Sequence, residues 1–242
     1  MKPDADVTVI EKGLLLSYAG CGLPYYVSGE IKEQRELMET PAGAIRDAAF
    51  FLNVKNLKVQ NRTEAMEIDR KGKRVRTKSI DGGKESWIDY DKLMLATGAS
   101  PVVPPIPGTD KKNVFTLHGV HDAEGIKTVL SERKAKDVVI IGGGLIGVEA
   151  TEALATHGCR VTVVEMLPQI LGMLDWEIAR LIENYMESKG VRILTGTKVL
   201  ALENRNGSAD RITHAKSEKG DIPTDMVIIA IGVRPETGLA KQ

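Results

Sequence analysis

The chain of 242 residues is 42% hydrophobic and 27% charged, enough to bury a sizeable core in one large or two ordinary domains. Its 33 Lys and Arg residues balance 33 Asp and Glu, so it offers no net positive field to nucleic acid or an anionic membrane surface, and neither is expected as a partner. No apolar run reaches the ~20 residues that span a bilayer, and Met1-Lys2-Pro3-Asp4 lacks the apolar core of a secretory signal, which makes a cytoplasmic location the expectation.

Taken in chain order, the first element is Val7-Thr8-Val9-Ile10-Glu11, a β-branched run that reads as a buried parallel strand ending in an acid. Asp81-Gly82-Gly83 then marks a turn in a small antiparallel meander, and Leu93-Met94-Leu95-Ala96-Thr97-Gly98 reads as an apolar strand closing on glycine. Pro101, Pro104, Pro105 and Pro107 with Gly108 form a connector that cannot continue a strand, which puts a domain boundary near Asn113 and divides the chain into 1–112 and 113–242. Beyond it, Asp122 is expected to cap a helix carrying Ile126, Val129 and Leu130. Val138-Val139-Ile140-Ile141 is a strand, Gly142-Gly143-Gly144-Leu145-Ile146-Gly147 a glycine turn, and a helix with Ile146, Ala150 and Leu154 on one face leads to the strand Val161-Thr162-Val163-Val164-Glu165. Asp175 is expected to cap a helix that covers the sheet with Ile178, Leu181, Ile182 and Tyr185 and closes at Gly190. Asn206-Gly207 marks a second meander before Ile228-Ile229-Ala230-Ile231-Gly232.

One pattern therefore occurs twice: acid-tipped strand, meander, strand closing on glycine, then proline at Pro101 and Pro235. The second copy has its glycine turn and helix. In the first copy they would lie about 30 residues before Glu11, upstream of Met1, so the chain reads as a fragment.

Gly142, Gly144 and Gly147 follow a strand, open a helix and precede an acid about 20 residues on, the full context of a dinucleotide fingerprint. Gly142 permits the tight turn, Gly144 the approach of backbone to pyrophosphate, and Gly147 close packing of helix on strand. Glu165 is expected to accept the adenine-ribose hydroxyls and to repel a 2′-phosphate, favouring NADH over NADPH, with Gly232 on the nicotinamide side. By the repeat, Glu11 binds a second adenine ribose and Ala96-Thr97-Gly98 approaches that ligand. The two cysteines, Cys21 and Cys159, and the four histidines lack the spacing of a disulfide framework or a metal site, so no metal is expected and each cysteine is either reactive or structural, the latter preferred for Cys159.

Ser17-Tyr18-Ala19-Gly20-Cys21-Gly22-Leu23-Pro24-Tyr25-Tyr26, Tyr90-Asp91-Lys92-Leu93-Met94-Leu95-Ala96-Thr97-Gly98-Ala99-Ser100-Pro101, the glycine motif and Ile231-Gly232-Val233-Arg234-Pro235 together resemble the pyridine nucleotide-disulfide oxidoreductase family. They are most similar to its single-cysteine branch of coenzyme A-disulfide reductases, NADH oxidases, NADH peroxidases and NADH-dependent persulfide reductases. The resemblance covers nearly the whole chain and is most specific over residues 17–26. It implies an α/β fold of two Rossmann-like FAD- and NAD(P)-binding domains, each a parallel sheet with helices plus an antiparallel meander, the first incomplete. It implies FAD and NADH as cofactors, Ala99 beside residues 96–98 at the flavin, and Leu145 and Ile146 among the nicotinamide contacts. Electrons would pass through flavin to Cys21 and on to a small-molecule thiol or disulfide, such as coenzyme A disulfide or a persulfide, with Ser17 at the substrate.

In the two-cysteine branch a second cysteine lies five residues after the first; here that position is Tyr26. Oxidised Cys21 would then be a sulfenic acid, as in an oxidase or peroxidase, or a mixed disulfide with an outside thiol. Leu23-Pro24-Tyr25-Tyr26 is closer to the coenzyme A-disulfide reductase pattern. The resemblance also implies that Cys21 opens a helix whose dipole favours the thiolate. Two positions depart from it: Leu145 stands where many relatives have a gating tyrosine, and His118 where some have an arginine near the flavin. The family's first glycine motif, its Gly-Asp flavin segment and its carboxyl-terminal dimerisation domain fall outside residues 1–242, and the full-length enzyme is expected to be a homodimer through the last. A chain that binds NAD without catalysis is the rival expectation.

Overall fold

The structure, a computed structural model, describes residues 5–132, 134–205, 207 and 210–242. Met1 to Asp4, on which the signal reading falls, and Asn206 of the second turn lie outside the described residues. The fold is α/β and forms two compact units: Met1–Ala19, Glu33–Ala99 and Pro235–Gln242 make the first, Gly20–Lys32 and Ser100–Arg234 the second. Among the described residues no helix is long and apolar enough to cross a membrane.

The second unit is built on a five-stranded parallel sheet in the order Arg192–Leu194, Arg160–Val164, Asp137–Ile141, Met226–Ile229, Val114–Thr116. Its central strands are buried on both faces, with Ile140, Val163 and Met226 to Ile228 at 0% exposure, which is why they read as unbroken β-branched and apolar runs rather than alternating ones. An antiparallel meander, Val199–Glu203, His214–Ser217 and Gly220–Pro223, packs its apolar face (Val199, Leu202, Ala215, Ile222) into the same core. The chain runs one way from Asp137–Ile141 to Arg160–Val164 and returns on the other side as Met226–Ile229, so the strand order reverses between these neighbours. Such a reversal, outside the carboxyl ends of the strands, is the position where open α/β sheets take ligands.

Two helices differ from expectation. Val120–Ser131 starts at Gly119, and Asp122 caps it from inside the first turn, accepting from His118 N at 2.9 Å and from Thr116 Oγ1 at 2.7 Å. Trp176–Ser188 does follow Asp175, yet Ile178, Leu181 and Tyr185 are exposed; Ala179, Glu183 and Met186 are buried instead. The buried face is set one position along, roughly 100° around the helix. Ala179 is small enough to lie directly on the protein, and Glu183 turns inward because its carboxylate finds backbone and cationic partners there.

In the first unit Val7–Ile10 pairs in parallel with Leu57–Gln60, and Thr63–Asp69, Arg74–Ser79 and Glu85–Asp89 form an antiparallel meander turning at Asp81-Gly82-Gly83. The expected strand Leu93 to Gly98 joins no sheet, with Met94 88% exposed. A parallel strand is stabilised only by hydrogen bonds to neighbours, and among the described residues the parallel pairing in this unit is confined to Val7–Ile10 with Leu57–Gln60. Its counterpart Met226–Ile229 has a strand on each side.

Candidate active site

The glycine turn runs out of Asp137–Ile141 into the helix Leu145–Thr156, and two of its glycines, Gly142 and Gly147, have separate steric reasons. Gly142 has φ +111°, and a Cβ there would fall on the Ala230 carbonyl, just past the end of the neighbouring strand. At Gly147 a Cβ would fall on the Gly142 carbonyl, so the helix can approach the turn only without a side chain. Around Gly144, the N-cap, nothing lies within 4 Å of a Cβ. No internal contact demands glycine at 144; the open space in front of a helix N-terminus fits a pyrophosphate drawn against backbone amides.

Glu165 N donates to Leu194 O at 2.9 Å, which holds the end of its strand in the sheet. Its Oε1 accepts from Leu167 N at 2.7 Å and its Oε2 from Gly143 N at 2.6 Å. The middle glycine, which the fingerprint does not count, thus fixes the acid; its place between Gly142 and Gly144 was the available signal. Gly232, at φ +104°, follows Met226–Ile229 and accepts from Val102 N at 2.9 Å. Gly142, Gly144, Glu165 and Gly232 follow the carboxyl ends of strands of one sheet, and Leu145, Ile146 and Gly147 form the first turn of the helix that leaves it, with Leu145 59% exposed and Ile146 half-buried.

Cys21 belongs to the same unit. It is exposed in the turn Gly20–Gly22, which leads into the helix Leu23–Ser28. That helix is firmly seated: Leu23, Pro24, Tyr26 and Val27 are buried, and it packs on the helices Val120–Ser131 and Leu145–Thr156. Tyr26 OH donates to Glu124 Oε1 at 2.5 Å, and Lys127 Nζ donates to Tyr26 O at 2.9 Å while lying 3.7 Å from the ring centroid. The Tyr26 phenol is pushed up to about 12, by burial first and then by Glu124, and burial draws the Lys127 ammonium below its usual value. Sequence reasoning missed Glu124 and Lys127, whose helical spacing reads as an ordinary solvated face. Cys159 is half-buried with its thiol pushed up, first by burial and then by Asp225 and Asp137.

Glu11, Ser17 and residues 96–99 lie in the first unit. Glu11 Oε1 accepts from Gly13 N at 2.6 Å, the same two-residues-on contact that Glu165 makes with Leu167. Thr97 Oγ1 donates to Glu236 O at 2.5 Å, and Gly98, at φ +71°, accepts from Glu236 N at 2.9 Å. Ser17 is half-buried.

This geometry agrees with what the chain is similar to. It is 32% identical over 99% of its length to an NADH oxidase of Methanocaldococcus jannaschii, and 35% identical over 100% to an NAD(P)H sulfur oxidoreductase (CoA-dependent) of Pyrococcus abyssi. It spans about half of these relatives, 51% in both cases. Among solved structures, an NAD-dependent persulfide reductase from A. fulgidus superposes with a TM-score of 0.91 at 40% identity, covering 98% of this chain and 43% of that one. Residues 2–242 match the family model described as pyridine nucleotide-disulphide oxidoreductase, and the chain belongs to that family.

Proposed function

We propose that the full-length protein is an FAD-dependent NADH oxidoreductase that reduces a small-molecule disulfide or persulfide, coenzyme A disulfide being the leading candidate, through Cys21. The observation that carries this is an exposed thiol on a helix whose next turn is buried, in the unit that also holds a complete dinucleotide fingerprint. A nucleophile needs both access and a fixed position. Within this chain Cys159, half-buried with a raised thiol, is a poor partner, which supports a mixed disulfide of Cys21 with an outside thiol.

Gly142, Gly144, Leu145, Ile146, Gly147 and Gly232 would hold the nicotinamide dinucleotide, and Glu165 the adenine ribose. A carboxylate at that position favours NADH over NADPH. Glu11 and residues 96–99 would hold FAD. When bound, the two cofactors supply a pair of electrons. Cys21 carries the mixed disulfide with the substrate thiol; two electrons and a proton cleave the S–S bond, leaving a Cys21 thiolate and a released thiol. Ser17 would face that substrate. Homodimerisation of the full-length protein belongs to the same proposal.

Mass spectrometry of the air-purified full-length enzyme tests this. A Cys21 adduct of coenzyme A mass, released by NADH, is the expected result, and Cys21→Ser should abolish disulfide turnover while sparing hydride transfer to flavin. Full disulfide reduction by Cys21→Ser removes the cysteine from the mechanism. The similarity to an NADH oxidase over 99% of the chain favours a second reading, in which Cys21 cycles as a sulfenic acid and is trapped by dimedone.

A further inference from the structure

The helix Trp176–Ser188 points a carboxylate into the protein. Glu183 is 2% exposed, and burial of a charge is tolerated only where its oxygens find fixed partners. Oε1 accepts from Ile170 N at 3.2 Å, and Oε2 is ion-paired with Arg180 one turn earlier, whose side chain is 46% exposed. Ile170 is itself at 0% exposure and covers the middle glycine of the dinucleotide turn: a Cβ on Gly143 would lie 2.6 Å from Ile170 Cγ2. The next residue, Leu171, has φ +49°, a left-handed conformation that a bulky side chain adopts only when its surroundings impose it. Its N–H donates to Gly143 O at 2.7 Å. Gly143 N in turn donates to Glu165 Oε2 at 2.6 Å.

These contacts form one continuous chain from a buried acid to the ribose-binding acid. We infer that Glu183 is a positioning residue for the adenosine half of the dinucleotide site, holding the strained Ile170-Leu171 corner against Gly143 and through it the amide that orients Glu165. Glu183, at 2% exposure, would act through these contacts, and the inference rests on the reading of Gly142 to Glu165 as the NADH site. It also accounts for the rotation of the helix: turning Glu183 inward leaves Ile178, Leu181 and Tyr185 outside.

Calorimetric titration of the 242-residue chain with ADP-ribose, which carries the adenosine, pyrophosphate and second ribose without nicotinamide, separates this from simple stabilisation. Glu183→Leu, which keeps volume but removes the acceptor, should weaken ADP-ribose about tenfold, whereas Glu183→Gln, which keeps an acceptor for Ile170 N, should stay within about threefold of the parent. Glu183→Asp withdraws the oxygen by one methylene, keeps the charge, and should match Glu183→Leu should that variant fail to fold. With Glu165→Ala as the background the same substitutions should have little further effect, because the linked residues act as one unit. A lowered melting temperature with unchanged ADP-ribose affinity, or an equal loss in both backgrounds, overturns the positioning role. Failure of the parent chain to bind either ADP-ribose or NADH overturns the site assignment itself, and the positioning role with it.

Discussion

Gly144→Ala separates a glycine kept for a ligand from a glycine kept for the fold. Gly144 is the N-cap of Leu145–Thr156 with extended backbone (φ −75°, ψ −175°), and a Cβ there meets nothing within 4 Å. Alanine is a poorer N-cap than glycine by up to about 1 kcal/mol, but it removes about 0.4–1 kcal/mol of unfolded-state freedom, so the two effects nearly cancel. The melting temperature should move by no more than about 2 °C. Binding should suffer far more. The new methyl occupies the space through which a pyrophosphate reaches the helix amides, and loss of two charge-assisted hydrogen bonds costs about 3 kcal/mol, or roughly 100-fold in NADH affinity. Gly142→Ala is the matched control, because its φ of +111° disfavours alanine and its Cβ would meet the Ala230 backbone. Backbone strain and overpacking together should cost about 3 kcal/mol and lower the melting temperature by about 6–12 °C. Thermal melts and NADH calorimetry on the same preparations measure both. Parental NADH affinity in Gly144→Ala, or a melt as low as that of Gly142→Ala, refutes the assignment of the open space to pyrophosphate.

The remaining predictions concern the Cys21 helix and the independence of the second unit. Tyr26, pushed up to about 12 in the fold against about 10 unfolded, keeps its proton longer when folded, so its contribution is intact below about pH 10 and lost as pH rises towards 12. Urea melts between pH 8 and 12 should show a fall in stability that Tyr26→Phe reduces; an unchanged pH dependence in that variant removes Tyr26 as its source. We further propose that residues 113–242 bind NADH without 1–112. They should melt below the parent, because removing Leu23–Ser28 uncovers the helix surfaces on which Tyr26 and Val27 are buried. Loss of NADH binding in a folded 113–242 fragment would count against that division.

The parts of the site that were legible in the sequence are those set by local chemistry. Val138 to Gly147 and Val161 to Glu165 carry strand, turn and acid within one short stretch, and two of the three spaced glycines, Gly142 and Gly147, follow from sterics met within their own unit. What was not legible depends on partners distant in the chain. Apolar periodicity selected Ile178, Leu181, Ile182 and Tyr185 as the buried face, since no pattern of apolar residues signals that a glutamate four residues beyond Ala179 will find Ile170 N. The stretch 93–98 has the composition of a strand, but among the described residues no strand ladders onto it, so composition alone did not decide it. The grouping of Gly20–Lys32 with the second unit rests on Tyr26, Val27, Glu124, Lys127 and His157, whose Nε2 lies 2.8 Å from Val27 O; none of these pairings has a sequence signature.

The two acid-tipped strands show how far the internal repeat extends into chemistry. Glu11 and Glu165 each accept the amide two residues on, Gly13 N and Leu167 N, at 2.6 and 2.7 Å. A Cβ at Gly13 would lie 3.0 Å from Glu11 Oε1, so a side chain there would press on the carboxylate. The difference is the second oxygen: Gly143 N fixes it in Glu165, whereas among the described residues Gly13 N is the hydrogen-bond donor to the Glu11 carboxylate. A carboxylate held at both oxygens presents its remaining lone pairs in one orientation, while one held at a single oxygen must lose rotational freedom when a ribose arrives. On the proposed reading the glycine turn would do more than admit phosphate: Gly143 N also fixes Glu165 Oε2, so the proposed phosphate and ribose contacts would rise or fall together with the geometry of Gly143.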